Sequence, residues 1–224
     1  MKKLPTGKSS VGEFLEAAKR FPVPRDSQTR LIFAMDATQS REPTWDLATS
    51  LHAELFTTAR QEDLAVQLVY YRGHFDFYAT HWNDSASGLL QTMQRVQCHA
   101  GITQISRVLS HTIKETQQST LKALAFVGDA CEEESKTLYD LAGQLALYRL
   151  PVFMFQEGHN PYVAQVFAGI AQLTNGAHIP FQPGSAQQFA ELLRAVAAYA
   201  TGGIDAVKTL RGKFTQQLIE QLQS

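Results

Sequence analysis

Leu31 to Met35, Leu64 to Tyr71, Leu121 to Gly128, Pro151 to Phe155 and Ala177 to Phe181 are apolar runs of strand length. Successive side chains of a strand point to opposite faces, so a run apolar at every position belongs to a strand covered on both sides. Between these runs lie stretches of helical periodicity. From about Pro43 the stripe is Leu47, Ala48, Leu51, Leu55 and Ala59, and a later stretch shows Ile105, Val108, Leu109, Thr112 and Ile113. Helices are likewise expected from about Glu133 (Leu138, Leu141, Ala142, Leu145), over Tyr162 to Leu173, and from Ser185 to Gly202-Gly203. Phe75 to Trp82 breaks the alternation: it follows Leu64 to Tyr71 after only Arg72-Gly73-His74, which makes an antiparallel hairpin, and Asp84 or Ser85 then caps a helix carrying Leu89 and Met93. The expected fold is α/β: a doubly wound, Rossmann-like, mostly parallel sheet of about six strands with one antiparallel edge strand and helices on both faces.

The alternation spans about residues 29–203 and is expected to form one domain. Residues 1–28 read as a helical lead-in, with Ser9 or Ser10 capping a helix through Phe21, and residues 204–224 as one amphipathic helix bearing Val207, Leu210, Phe214, Leu218 and Leu222. That tail packs on the domain or serves a partner. With 44% apolar and 18% charged residues, the 224-residue chain has ample material for a core. Its net charge of −1 speaks against general nucleic-acid or membrane binding. The start, Met1 to Lys8, has charge but no apolar stretch of the signal-peptide kind, and no run approaches the roughly 18 apolar residues of a membrane span. A cytoplasmic location is the expectation.

Chemistry concentrates where three of these elements end. Leu31 to Met35 runs into Asp36-Ala-Thr38-Gln-Ser40, with an oxygen-bearing side chain at every second position. A second loop holds Gly101-Ile102-Thr103, and Leu121 to Gly128 ends in Asp129. Ligands of open α/β sheets bind at the carboxyl ends of strands. Two carboxylates and three hydroxyls suit a hard divalent cation, which prefers oxygen ligands and fills its remaining positions with water or a partner's carboxylate.

Asp36-x-Thr38-x-Ser40, Thr103 in its glycine-bearing loop and Asp129 at the end of a strand together resemble the von Willebrand factor A (VWA) domain with a metal-ion-dependent adhesion site, in its intracellular bacterial form. The resemblance covers about residues 28–199. It implies that Mg2+, or Mn2+ or Ca2+, is held by Asp36, Thr38, Ser40, Thr103 and Asp129. Ser40 with Thr38 or Thr103 would bind directly or through water, and the two aspartates largely through water or at one remove. It also implies a protein-interaction module without catalytic activity. The partner would present Asp or Glu to the ion, and at family level AAA+ ATPases and stress-response assemblies are associated. Thr38 stands for the commoner serine, Ala130 for the usual glycine, and Ile102 is bulky for its loop.

Two other readings compete. One is a magnesium-dependent phosphotransferase or phosphatase of haloacid-dehalogenase type with Asp36 as nucleophile, although Thr38 stands where that pattern wants a second aspartate and Lys122 lies within a strand. The other is a structural domain whose metal site has degenerated. Glu132-Glu133-Glu134 reads as a solvated first helical turn favoured by the helix dipole, or as an acidic rim to the site. Cys98-His99 and Cys131 lack zinc spacing and offer at most a redox role. His74, His81 and His111 read as surface or packed histidines. Trp45 and Trp82 read as anchors, with Trp45 also near enough to Ser40 in sequence to line the metal face.

Overall fold

The computed structural model describes residues 28–57 and 64–223. The expected lead-in helix from Ser9 or Ser10 to Phe21, and Ala59 of the second helical stripe, lie outside the described residues.

Six strands form one sheet: β1 (Thr29–Asp36), β2 (Leu64–Arg72), β3 (Asp76–Asn83), β4 (Leu121–Gly128), β5 (Val152–Glu157) and β6 (Ala177–Phe181). Their spatial order is β3-β2-β1-β4-β5-β6, and only the β2–β3 pair is antiparallel. The expected doubly wound sheet with one antiparallel edge strand is therefore what the chain forms. The chain moves outward from β1 in one direction and then crosses back to β4 to move outward in the other. Winding reverses between β1 and β4, where Met35 pairs with Val127, so Asp36 at the end of β1 and Asp129 just beyond β4 sit on neighbouring strands at the reversal point.

Side-chain alternation divides the core into two layers. Leu31, Phe33, Met35, Ala123, Ala125 and Val127 face α1 (Glu42–Leu51), α2 (Glu54–Thr57), α3 (Ala86–Met93) and α7 (Ala186–Lys208). Ile32, Ala34, Leu124 and Phe126 face α4 (Ile105–Gln118), α5 (Ser135–Leu147) and α6 (Pro161–Leu173). Asp36 shares the parity of Ile32 and Ala34, which turns its carboxyl towards the α4–α5 side.

Two boundaries differ from the expectation, and one that the doubled glycine marks is where it was expected. The helix expected from Glu133 begins at Ser135, because Glu132 and Glu133 are used to bind the preceding loop. Gly202-Gly203 does end the regular helix: Gly203 has non-helical φ of 65° and ψ of −160°, and a second, short helical segment follows it to Lys208. The tail is not one helix: a short segment after Gly203 runs to Lys208, and α8 (Lys213–Leu222) starts afresh after Gly212. Leu218 and Thr215 of α8 are buried, and the Thr215 amide donates to Glu191 of α7 at 2.8 Å. The side-chain amide of Gln221 donates to the carbonyl of His178 and accepts from its amide, both at 2.8 Å, against β6.

Candidate metal centre

The segment after β1 is fixed by its main chain. The Ala37 amide donates to the carbonyl of Tyr71 at 2.9 Å, and the His99 amide donates to the carbonyl of Ala37 at 3.1 Å. These bonds tie the first oxygen-bearing loop to β2 and to the loop of residues 98–104. The second loop is seated in turn on the β2–β3 turn, where Ile102 donates to the Gly73 carbonyl at 3.1 Å. A Cβ on Gly101 would overlap that carbonyl, so the close approach requires glycine. The loop can then follow the turn closely, leaving Thr103 buried and Ile102 45% exposed. The bulk of Ile102 goes to solvent.

Asp36 is buried, and both its oxygens are engaged: Oδ1 accepts the Thr38 amide at 2.7 Å and Oδ2 accepts the Tyr71 hydroxyl at 3.1 Å. Burial raises its pKa from 3.8 to about 6; hydrogen bonds from Thr38 pull against this, and the charge of Asp129 adds to the rise. The hydroxyls of Thr38 and Ser40 lie 3.4 Å apart. Together with Thr103 and Glu132 they line a cavity of about 240 Å³ over the carboxyl end of β1.

Glu132 is a site residue that the sequence reading admitted only as part of an acidic rim. Its carboxylate accepts the Thr103 amide at 2.7 Å, and its own amide donates to the Thr103 hydroxyl at 3.0 Å. Glu133 accepts the amides of Ile105 and Ser106 at the start of α4. Neither glutamate is in a solvated first turn of α5. They bind the Thr103 loop to the loop after β4, satisfying amides that a helix start leaves without intrahelical partners.

Asp36, Thr38, Ser40 and Thr103 therefore meet around one cavity. Asp129 does not line it. Its Oδ2 lies 3.5 Å from the guanidinium of Arg41, which also pairs with Glu157, and Glu157 accepts the Thr44 hydroxyl. Arg41 and Glu157 were not singled out in the sequence. Their only signals are a cation beside Ser40 and an acid ending a largely apolar strand.

The donor chemistry fits a hard cation. Two hydroxyls side by side, a third residue bearing a hydroxyl in the same lining and one carboxylate match the oxygen preference of such ions. Asp129 Oδ1 is buried with no hydrogen-bond partner among the described residues, an acceptor left open. Among those residues no three His, Cys, Asp or Glu side chains gather as metal ligands, so any ion must rely on the hydroxyls.

The remaining candidates have other roles. Trp45 is an anchor and not part of the metal face: it is buried, donates to the Met93 carbonyl at 3.3 Å and packs edge-on to Tyr70. Arg30 stacks over Trp82 at 5.0 Å. Burial, followed by the charge of Glu42, pushes the Cys98 thiol up to about 11, and burial also raises that of Cys131. Neither is activated for redox chemistry. His111, half-buried against Gln67 Oε1 at 2.8 Å, is a packed histidine whose burial lowers its pKa.

The fold is that of VWA domains. The SpRpn10 VWA domain superposes with a TM-score of 0.55 at 10% identity over 76% of this chain and 94% of that one. An aerotolerance-related membrane protein from Bacteroides fragilis, with multiple mutations to serine, gives 0.58 at 14% identity over 75% and 98%. The D319A mutant of the PilB minor pilin from Streptococcus sanguinis gives 0.60 at 8% identity over 79% of this chain and 62% of the pilin. No protein-family model matches the sequence, and no curated protein does either.

Proposed function

We propose that this chain is a metal-dependent protein-interaction module, in which a divalent cation, Mg2+ or else Mn2+ or Ca2+, captures an acidic side chain of a partner protein. The observation that carries the reading is the convergence of Asp36, Thr38, Ser40 and Thr103 on one cavity at the reversal point of the sheet. Thr38, Ser40 and Thr103 would hold the ion, with Asp36 supplying charge through water. A cation held largely by neutral hydroxyls stays under-neutralised and attracts a carboxylate from outside. The surrounding loops, including exposed Ile102, would set which partner fits. The module would work as an interaction domain and not as an enzyme. Against a phosphotransferase stands the geometry of Asp36, which is buried and whose two oxygens are occupied by Thr38 and Tyr71. Among the described residues no helix is long and apolar enough to cross a membrane.

The test is a titration of Mg2+, Mn2+ and Ca2+ against the thermal midpoint of wild type and Ser40→Ala. A ligand that binds only the native state stabilises it by about 2.7 kcal/mol at a hundredfold excess over Kd. Wild type should shift and Ser40→Ala should not. Partner capture, tried first on acidic segments of AAA+ ATPase and stress-response assemblies, should then require the ion and fail in EDTA. No shift with any of the three ions at millimolar concentration would favour a structural domain with a degenerate site.

A further inference from the structure

Arg41 follows Ser40 directly, in the short 3-10 turn Gln39–Arg41, yet it is only 3% exposed. Its guanidinium reaches two carboxylates from neighbouring strands: Asp129 Oδ2 beyond β4, at 3.5 Å, and Glu157 at the end of β5. Glu157 is also buried and accepts the Thr44 hydroxyl. A planar guanidinium can serve two carboxylates at once, and buried charges require such pairing. The arrangement carries a permanent cation on the residue next to Ser40 and engages one oxygen of Asp129, whose neighbour Ala130 lines the cavity, leaving Oδ1 with no hydrogen-bond partner among the described residues.

We propose that Arg41 is a resident rival of the divalent cation: it holds Asp129 and Glu157 in the absence of the ion and thereby limits the site's affinity for it. The inference rests on the reading that the cavity takes a divalent ion. Removing the guanidinium takes away a repulsive charge and releases Asp129 towards the ion, while leaving buried Glu157 and partly exposed Asp129 without a cation when no ion is present. Affinity for metal and stability without metal should therefore move in opposite directions. Removing Glu157 does the converse, because Arg41 is then left with Asp129 alone.

The experiment is calorimetric titration of Mg2+ and Mn2+ into wild type, Arg41→Gln and Glu157→Gln, with thermal midpoints taken in EDTA. Arg41→Gln should melt lower in EDTA yet bind the ion about tenfold more tightly or better, the scale by which a neighbouring charge moves a carboxylate's affinity for a proton. Glu157→Gln should bind more weakly than wild type. A merely structural role for Arg41 would weaken binding in both variants, and that result, or unchanged affinity in Arg41→Gln, overturns the proposal. If Arg41→Gln fails to fold, the double variant Arg41→Gln with Glu157→Gln, which removes the guanidinium without leaving Glu157 charged and unpaired, should bind the ion more tightly than Glu157→Gln alone, and equal or weaker binding overturns the proposal. Binding by Arg41→Gln with a silent wild type upholds the rivalry and refutes metal-dependent function in the native chain. Absence of binding in every variant overturns both.

Discussion

The main chain of Gly101 rests on the carbonyl of Gly73, with no room between them for a methyl group. Gly73 itself turns the β2–β3 hairpin with φ of 59°, so a tight turn and a tight approach are stacked on each other. The position of Thr103, two residues on, depends on this contact and on the reciprocal bonds to Glu132.

Gly101→Ala should therefore cost about 1–3 kcal/mol, the usual scale for forcing extra atoms into a packed region. It should also abolish any midpoint shift with Mg2+, because Thr103 is displaced. Urea unfolding with and without the ion measures both effects. A stable variant with normal ion response would show that the loop relaxes without moving Thr103.

Asp36 makes stability depend on pH in a defined direction. Its carboxyl titrates near 6 in the fold against 3.8 ordinarily, so the folded state holds its proton more tightly. The resulting stabilisation is fully present below pH 3.8 and is lost as pH rises through about 6, amounting to about 3 kcal/mol at most. In EDTA, Asp36→Asn should match wild type near pH 4 and be more stable than it at pH 7 to 8. Saturating Mg2+ should reverse the order at pH 7 to 8, since the ion favours the carboxylate. Denaturant midpoints across pH check the sign.

The Tyr71 hydroxyl donates to Asp36 from within the core, and Tyr71 is fully buried. Tyr71→Phe should cost about 1 kcal/mol. It should also move the Asp36 titration further upward, because a donor to the charged form is lost. Carboxyl chemical shifts followed against pH report the change, and an unmoved or lowered titration would show that the hydroxyl is not supporting the carboxylate.

Glu133 accepts two amides at the start of α4 from outside that helix. Glu133→Ala should cost about 1 kcal/mol, as for the loss of an N-terminal cap. Amide exchange at Ile105 and Ser106 should rise more than at the centre of α4. Uniform exchange along the helix would contradict this role.

The sheet could be read from the sequence because burial on both faces leaves a mark at every residue. Ile32 and Phe33 face different layers, yet both must be apolar. Asp36, Thr38, Ser40 and Thr103 were visible for a related reason: their oxygens punctuate apolar runs. Arg41 and Glu157 carry no such mark. They are 116 positions apart, and their pairing arises only when β1 and β5 take their places on either side of β4. Glu132 and Glu133 were obscured by their own setting, since three acids before a helix also look like a favourable first turn. Gly202-Gly203 was legible as a helix end because positive φ, here 65° at Gly203, comes readily only to glycine and stops a helix.

Gln221 has a consequence for how molecules of this protein meet. Its side-chain amide fills both hydrogen-bonding groups of His178, on the strand at one border of the sheet. A neighbouring chain seeking to add a strand there finds that rung of the ladder already occupied, so α8 acts as a stopper against end-to-end sheet growth.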